Sequence, residues 1–181
     1  TALAKLRAQE GGSFLLQGIT GSGKTRVYIE RVRDLLAAGK SSIVLVPEIS
    51  LTPQLVSQFE QAFGSVVISQ HSRLTPVQRR NIWLRAAHSS EPIILIGPRS
   101  TLFLPAPKLG LIIIDEEHDS SYKQGSAPRY HTVTAAAKLS HLAHAQLIVG
   151  SATPSLQEVF LSKAGKLATL KMTHRAIKQP L

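Results

Sequence analysis

Eight consecutive residues, Gly18-Ile19-Thr20-Gly21-Ser22-Gly23-Lys24-Thr25, fit the pattern G-x-x-x-x-G-K-[ST] without a gap, and no other feature limits the possible folds of this chain so tightly. Upstream, Ser13-Phe14-Leu15-Leu16-Gln17 reads as a short buried strand. Downstream, Val27, Ile29, Val32, Leu35 and Leu36 recur at helical spacing. Strand, glycine loop and helix in that order make an anion cradle, because loop N–H groups and the positive end of the helix converge on one point. The cradle formed by Gly18, Thr20, Gly21, Ser22 and Gly23 is expected to hold a polyphosphate. Lys24 then reaches the β- and γ-phosphates, and the Thr25 hydroxyl ligates Mg²⁺.

Apolar, β-branched runs recur at 43–46, 66–68, 93–96, 111–114 and 147–149, with helical patterns between most of them. Continuous apolar strands alternating with helices predict an α/β fold with a mainly parallel sheet and helices on both faces. A length of 181 residues suits one well-buried domain spanning 1–181. Thr52-Pro53 and Thr75-Pro76 each place a capping residue before a proline at the first helical position, and Gln78 completes a capping box with Thr75. The helix after Pro76 presents Val77, Ile82, Trp83, Leu84 and Ala86, with Trp83 expected in the core and Gln78, Arg79, Arg80 and Arg85 solvated. The stretch 119–130 is the least regular and reads as a functional loop.

Lysines and arginines number 21 against 11 acids, a formal charge of +10 that favours a polyanionic partner. The chain has no cysteine, so it holds neither a disulfide nor a thiolate zinc site, which fits a reducing compartment. No apolar run approaches the roughly 20 residues of a membrane span, and residues 1–7 lack a signal-peptide core. The expectation is a soluble cytoplasmic domain without a membrane partner. Because the chain opens on Thr1 and ends on Leu181, it reads as a piece of something longer.

A second site element is 111–118, Leu-Ile-Ile-Ile-Asp-Glu-Glu-His, a buried strand running into acids. A carboxylate at the C-terminal end of a central strand points into the ligand crevice of an open α/β sheet. Asp115 is therefore expected on the Mg²⁺ opposite Thr25, and Glu116 beside the attacking water, with Lys24 completing the charge stabilisation that phosphoryl transfer requires. His118 has two readings: a capped surface residue, or a link between the γ-phosphate site and a neighbouring segment through its two ring nitrogens. The neighbour expected is Gly150-Ser151-Ala152-Thr153-Pro154, which follows the strand at 147–149. Ser151 and Thr153 either form a turn that caps the next helix or couple to the acids, and their place after a strand favours coupling.

Gly-Ser-Gly-Lys-Thr, then Asp-Glu-Glu-His, then Ser-Ala-Thr is an ordered set that resembles superfamily 2 helicases of the DEAH-like branch. The segments 46–54 (VPEISLTPQ), 97–103 (GPRSTLF), 115–124 (DEEHDSSYKQ) and 150–155 (GSATPS) are similar to those of primosomal replication-restart DNA helicases. The resemblance runs from about Phe14 to about Arg175. It implies the first RecA-like lobe of a bacterial, nucleoid-associated 3′-to-5′ DNA helicase that uses ATP and Mg²⁺ and acts on single-stranded and forked DNA. Lys24, Asp115, Glu116 and His118 would be catalytic, and Ser151 and Thr153 would couple hydrolysis to movement. Pro47, Arg99, Ser100 and Thr101 match segments that touch the DNA backbone, a contact that positions without reading sequence. Tyr122, Lys123, Arg129 and Tyr130 match a loop that links single-strand binding to hydrolysis, the tyrosines by base stacking and the cations by charge. Pro98 stands where threonine is usual in the family, Arg26 where glutamate is common, and 124–128 is poor in aromatics. The family's second lobe with its arginine finger, its zinc insert, its N-terminal DNA-binding regions and most of its adenine-recognition segment have no counterpart here. Partners implied are that second lobe and other replication-restart proteins. The alternatives are a phosphate-loop NTPase that does not act on DNA, and a nucleic-acid or protein-interaction module without turnover.

Overall fold

The computed structural model describes residues 1–19, 21–47 and 53–172. In chain order these form α1 (Ala2–Arg7), β1 (Gly12–Gly18), α2 (Lys24–Ala37), β2 (Ser41–Leu45), α3 (Pro53–Phe63), β3 (Val67–Ser69), α4 (Pro76–Ala87), β4 (Ile94–Gly97), β5 (Leu109–Ile114), β6 (Lys123–Gln124), β7 (Tyr130–His131), α5 (Thr132–Leu142), β8 (Gln146–Ser151), α6 (Leu156–Lys163) and β9 (Ala168–Met172). Seven strands make one sheet in the order β3-β4-β2-β5-β8-β1-β9. Every pairing in it is parallel, so all seven C-terminal ends open on the same edge.

The period-2 alternation of strands divides the apolar residues between two layers. Phe14, Leu16, Val44, Ile113 and Ile148 face Leu6 of α1, Tyr28, Val32 and Leu35 of α2, and Phe59 of α3. Leu15, Ile43, Leu45, Ile112, Ile114, Leu147 and Val149 face Ala86 of α4, Val133 and Ala136 of α5, and Leu161 of α6. Both faces are thus covered, which is why the strands read as unbroken apolar runs. Gly12 pairs with Gln146 and Leu111 also pairs with Gln146, which places β8 between β1 and β5.

The capping box at Thr75 and Gln78 is present, with Pro76 at the start of α4. Thr52 lies outside the described residues. Trp83 is a correction: it is 49% exposed, and Val77 is also exposed. Ala86 is buried and Ile82, four residues earlier, packs beside it. Those two residues set the inward stripe of α4, and Trp83, one residue on from Ile82, is turned about 100° away from it. The irregular stretch 119–130 contains a 3-10 turn at Ser120–Tyr122, and its β6 pairs with β7 as a small antiparallel hairpin. β9 has only Leu170 fully buried; as an edge strand it lacks the apolar run that marks the central ones.

Candidate nucleotide site and the surface beside it

β1 delivers Gly18 to the open edge, and the chain turns back through Gly21 at φ 78° and Gly23 at φ 90° before α2 begins at Lys24. Both values lie where only glycine is comfortable. Lys24 is nearly buried; its Nζ donates to the Gly18 carbonyl at 2.8 Å and sits 3.4 Å from Glu116 Oε1. Ser22 is also buried, and its Oγ has no hydrogen-bond partner among the described residues. An ammonium held on a carbonyl, an orphaned hydroxyl and a glycine turn fit a phosphate chain that would take over these groups. Thr25 follows in the first turn of α2 and is partly exposed. Thr20 lies outside the described residues.

β5 ends beside this loop. The Asp115 carboxylate accepts from the Tyr28 hydroxyl at 2.9 Å. Burial raises its pKa, the neighbouring Glu116 charge adds to the rise, and Tyr28 and Lys24 oppose it. Glu116 has a left-handed backbone, φ 47°, a conformation that costs about 1–2 kcal/mol outside glycine. Strain of this kind is tolerated where it aims a side chain, and here Glu116 lies between Lys24 and His118 Nδ1, the latter 3.7 Å from Oε2. Thr25 and Asp115 supply hydroxyl and carboxylate oxygens, the donor types that Mg²⁺ takes alongside substrate phosphates.

β8 brings the third element. His118 Nδ1 lies 3.2 Å from Ser151 Oγ, and the same oxygen accepts the Thr153 N–H at 3.2 Å. Glu117 N–H donates to Gly150 O at 3.0 Å. His118 Nδ1 therefore lies between Glu116 and the Ser151 turn, both contacts falling on this one ring nitrogen of a side chain that is otherwise exposed. Thr153 takes part through its main chain, and its side chain is exposed.

Glu117 faces away from this cluster, buried with Glu158 of α6. Burial, then the hydrogen bond and charge of Glu158, push Glu117 up to about 7 from its ordinary 4.5. A carboxyl raised in the folded state favours folding fully at pH values below its unfolded pKa and loses that contribution as pH rises through the folded value. Melting temperature is expected to fall between about pH 5 and pH 8. Glu158→Gln should flatten that slope and add on the order of 1 to 2 kcal/mol at about pH 8, and thermal melts over this range measure it. An unchanged slope would show that the two carboxyls are independent.

The residues expected on DNA divide into three sets. Ser100, Lys123 and Arg129 are exposed, while Arg99 and Tyr130 are half-buried. Arg99 donates to the Ser121 carbonyl and Ser100 Oγ accepts from Gln70 Nε2 at 3.3 Å. Three are corrections, because the fold encloses them. Tyr122 is 1% exposed, and its hydroxyl donates to the main-chain oxygens of Asp115 at 2.6 Å and Leu45 at 3.1 Å. It braces the end of β5 and offers no free ring face to a base. Thr101 is fully buried and Pro47 is buried, so neither presents a side chain to a strand lying on the surface. Residues 48–52 lie outside the described residues. Phe103 was not singled out from sequence, yet it is exposed and meets the Tyr130 ring edge-on at 5.2 Å. Its signal was an aromatic at the end of the segment 97–103. Tyr28 was also missed; its signal was a phenol four residues after Lys24, on the inward face of an amphipathic helix.

Comparison with known proteins agrees with this geometry. The DEAD/DEAH box helicase family model matches residues 1–160. The Bacillus subtilis replication restart protein PriA is 45% identical over 170 residues, which is 94% of this chain and 21% of that protein. The Synechocystis PriA is 50% identical over 144 residues, 79% of this chain and 17% of that protein. The chain thus spans about a fifth of the length of these relatives. Among solved structures, a DEAD box protein from Methanococcus jannaschii superposes with a TM-score of 0.63 at 18% identity, covering 93% of this chain and 47% of that one. The Pyrococcus furiosus Hef helicase domain gives 0.64 at 17%, covering 95% and 38%. These structures share the RecA-like fold, and among the described residues of this chain no helix is long and apolar enough to cross a membrane. The chain belongs to the DEAD/DEAH box helicase family.

Proposed function

We propose that this chain is the ATP-binding lobe of a 3′-to-5′ DNA helicase that acts in replication restart, and that it binds Mg²⁺–ATP and touches single-stranded DNA. The observation that carries the reading is the meeting of Lys24, the Asp115-Glu116 pair and Ser151 at one sheet edge, through contacts of 3.4 Å and 3.2 Å centred on Glu116 and His118. Identity of 45–50% to replication restart proteins supports the biological setting.

In this reading Lys24 leaves the Gly18 carbonyl for the terminal phosphates, and the loop N–H groups hold the rest of the chain of phosphates. Bound Mg²⁺ would neutralise charge on the phosphate oxygens, with Thr25 and Asp115 as its protein ligands. Glu116, freed from Lys24, orients the attacking water and accepts its proton. His118 reports the state of Glu116 to Ser151, and so to the β8–α6 turn. Arg99, Ser100, Lys123 and Arg129, with Tyr130 beside Phe103, face the strand; a second lobe completes the site.

Two measurements test this. Binding of a fluorescent ATP analogue should require Mg²⁺ and be competed by ATP. Single-stranded DNA binding should weaken with salt, and Lys123→Ala and Arg129→Ala should each reduce the slope of log affinity against log salt by about 0.7, the single-strand value per phosphate contact. A slope unchanged in both variants would remove this loop from the DNA path. Nucleotide binding without any DNA affinity would instead favour a phosphate-loop NTPase that does not act on DNA.

A further inference from the structure

Tyr28 is the largest side chain on the inward face of α2 and is fully buried. A buried phenol needs a partner for its hydroxyl, and a main-chain carbonyl is the usual solution, as Tyr122 shows in this same chain. Tyr28 instead donates to the Asp115 side chain, at 2.9 Å on Oδ1. That hydrogen bond fixes the direction of Oδ1, because rotation about the last side-chain bond would break it.

The neighbouring backbone is shaped around this contact. Gly150, at the β8 end of the sheet edge, lies where a Cβ would fall 1.8 Å from the Tyr28 hydroxyl oxygen, 3.1 Å from Cζ and 3.2 Å from Asp115 Oδ1. Any side chain there would expel the hydroxyl from its place. The phenol therefore occupies a slot that three elements form together: α2, which follows the phosphate loop; β5, which ends in the acids; and β8, which leads into Ser151.

We propose that Tyr28 is a positioning residue for Asp115, holding one carboxylate oxygen so that the other is presented to Mg²⁺ in a fixed direction. The inference rests on the reading of Asp115 as a Mg²⁺ ligand. Outer-shell donors of this kind tune metal affinity through the ligand they orient, typically by about 10- to 100-fold. Phenylalanine keeps the ring and its packing and removes only the donor.

The test compares the wild-type chain with Tyr28→Phe, Asp115→Asn and Gly150→Ala by titrating a fluorescent ATP analogue with and without Mg²⁺, alongside circular dichroism. Tyr28→Phe should keep the wild-type spectrum and the Mg²⁺-free affinity, and should raise the Mg²⁺ concentration for half-maximal tight binding about tenfold. A merely structural tyrosine would lower both affinities together and leave that Mg²⁺ requirement alone. Gly150→Ala should raise the requirement in the wild-type background and raise it less in the Tyr28→Phe background, because the hydroxyl it displaces is already gone and only the milder approaches to Cζ and Asp115 Oδ1 remain. If Asp115→Asn raises the requirement while Tyr28→Phe and Gly150→Ala do not, the inference about Tyr28 is overturned and the Asp115 assignment stands. If Asp115→Asn has no effect either, the Mg²⁺ assignment fails and takes the inference with it.

Discussion

Lys24→Ala is expected to weaken Mg²⁺–nucleotide binding about a hundredfold, roughly 3 kcal/mol at the upper end of charge-assisted hydrogen bonding. The lysine is nearly buried and has one carbonyl at 2.8 Å and one carboxylate oxygen at 3.4 Å. Its ammonium is thus already desolvated and aimed before a phosphate arrives, and little reorganisation is needed to bind one. Removal also leaves the Gly18 carbonyl and Glu116 without their cation, so thermal melting must be recorded beside the titration. Lys24→Met, which keeps most of the stem, separates loss of charge from loss of packing. Binding retained in a folded Lys24→Ala chain would show that this loop is not the nucleotide site.

ATP turnover by the chain alone is expected to lie about 10³ to 10⁵ below that of the same lobe with its second lobe closed over it, the usual contribution of an arginine finger. Among the described residues, two cations at this sheet edge are Lys24, which under the proposed function holds phosphate in the ground state, and Arg99, which is tied to the Ser121 carbonyl. Neither is placed to follow charge as it develops on the transferred phosphoryl group. Steady-state phosphate release with and without forked DNA, with Lys24→Ala as the blank, measures this. DNA-stimulated release above the blank would mean that two copies complete each other or that one lobe suffices.

The convergence of the glycine loop, the acids and the Ser151 turn was legible because each follows a buried strand, and a parallel sheet gathers strand ends whatever their separation in sequence. The five apolar runs likewise became strands of the sheet, since strands covered on both faces carry no polar alternation to obscure them. What failed was the assignment of side chains to surface or interior outside those strands. Tyr122 and Thr101 sit in short 3-10 turns, where no regular period tells which way a residue points. Trp83 erred for a related reason: α4 has apolar residues all round, so composition alone does not select the inward stripe. Tyr28 and Gly150 escaped notice because their relation joins residues far apart in the chain, and only the packed sheet brings them together.

The position of β8 between β1 and β5 also governs the order in which the protein can come into being. Within this chain the glycine loop is synthesised well before β8 and β9, yet among the described residues β1 borders only those two strands. Gly12 waits for Gln146 before its strand has a neighbour at all. Closing so long a loop is slow relative to local pairing. A nascent chain that has reached α5 can assemble β2, β3, β4 and β5, while its glycine loop still follows an unpaired β1. The glycine loop and the acids are therefore brought to one edge only after β8 has been made, so the site proposed above forms late in the synthesis of this chain.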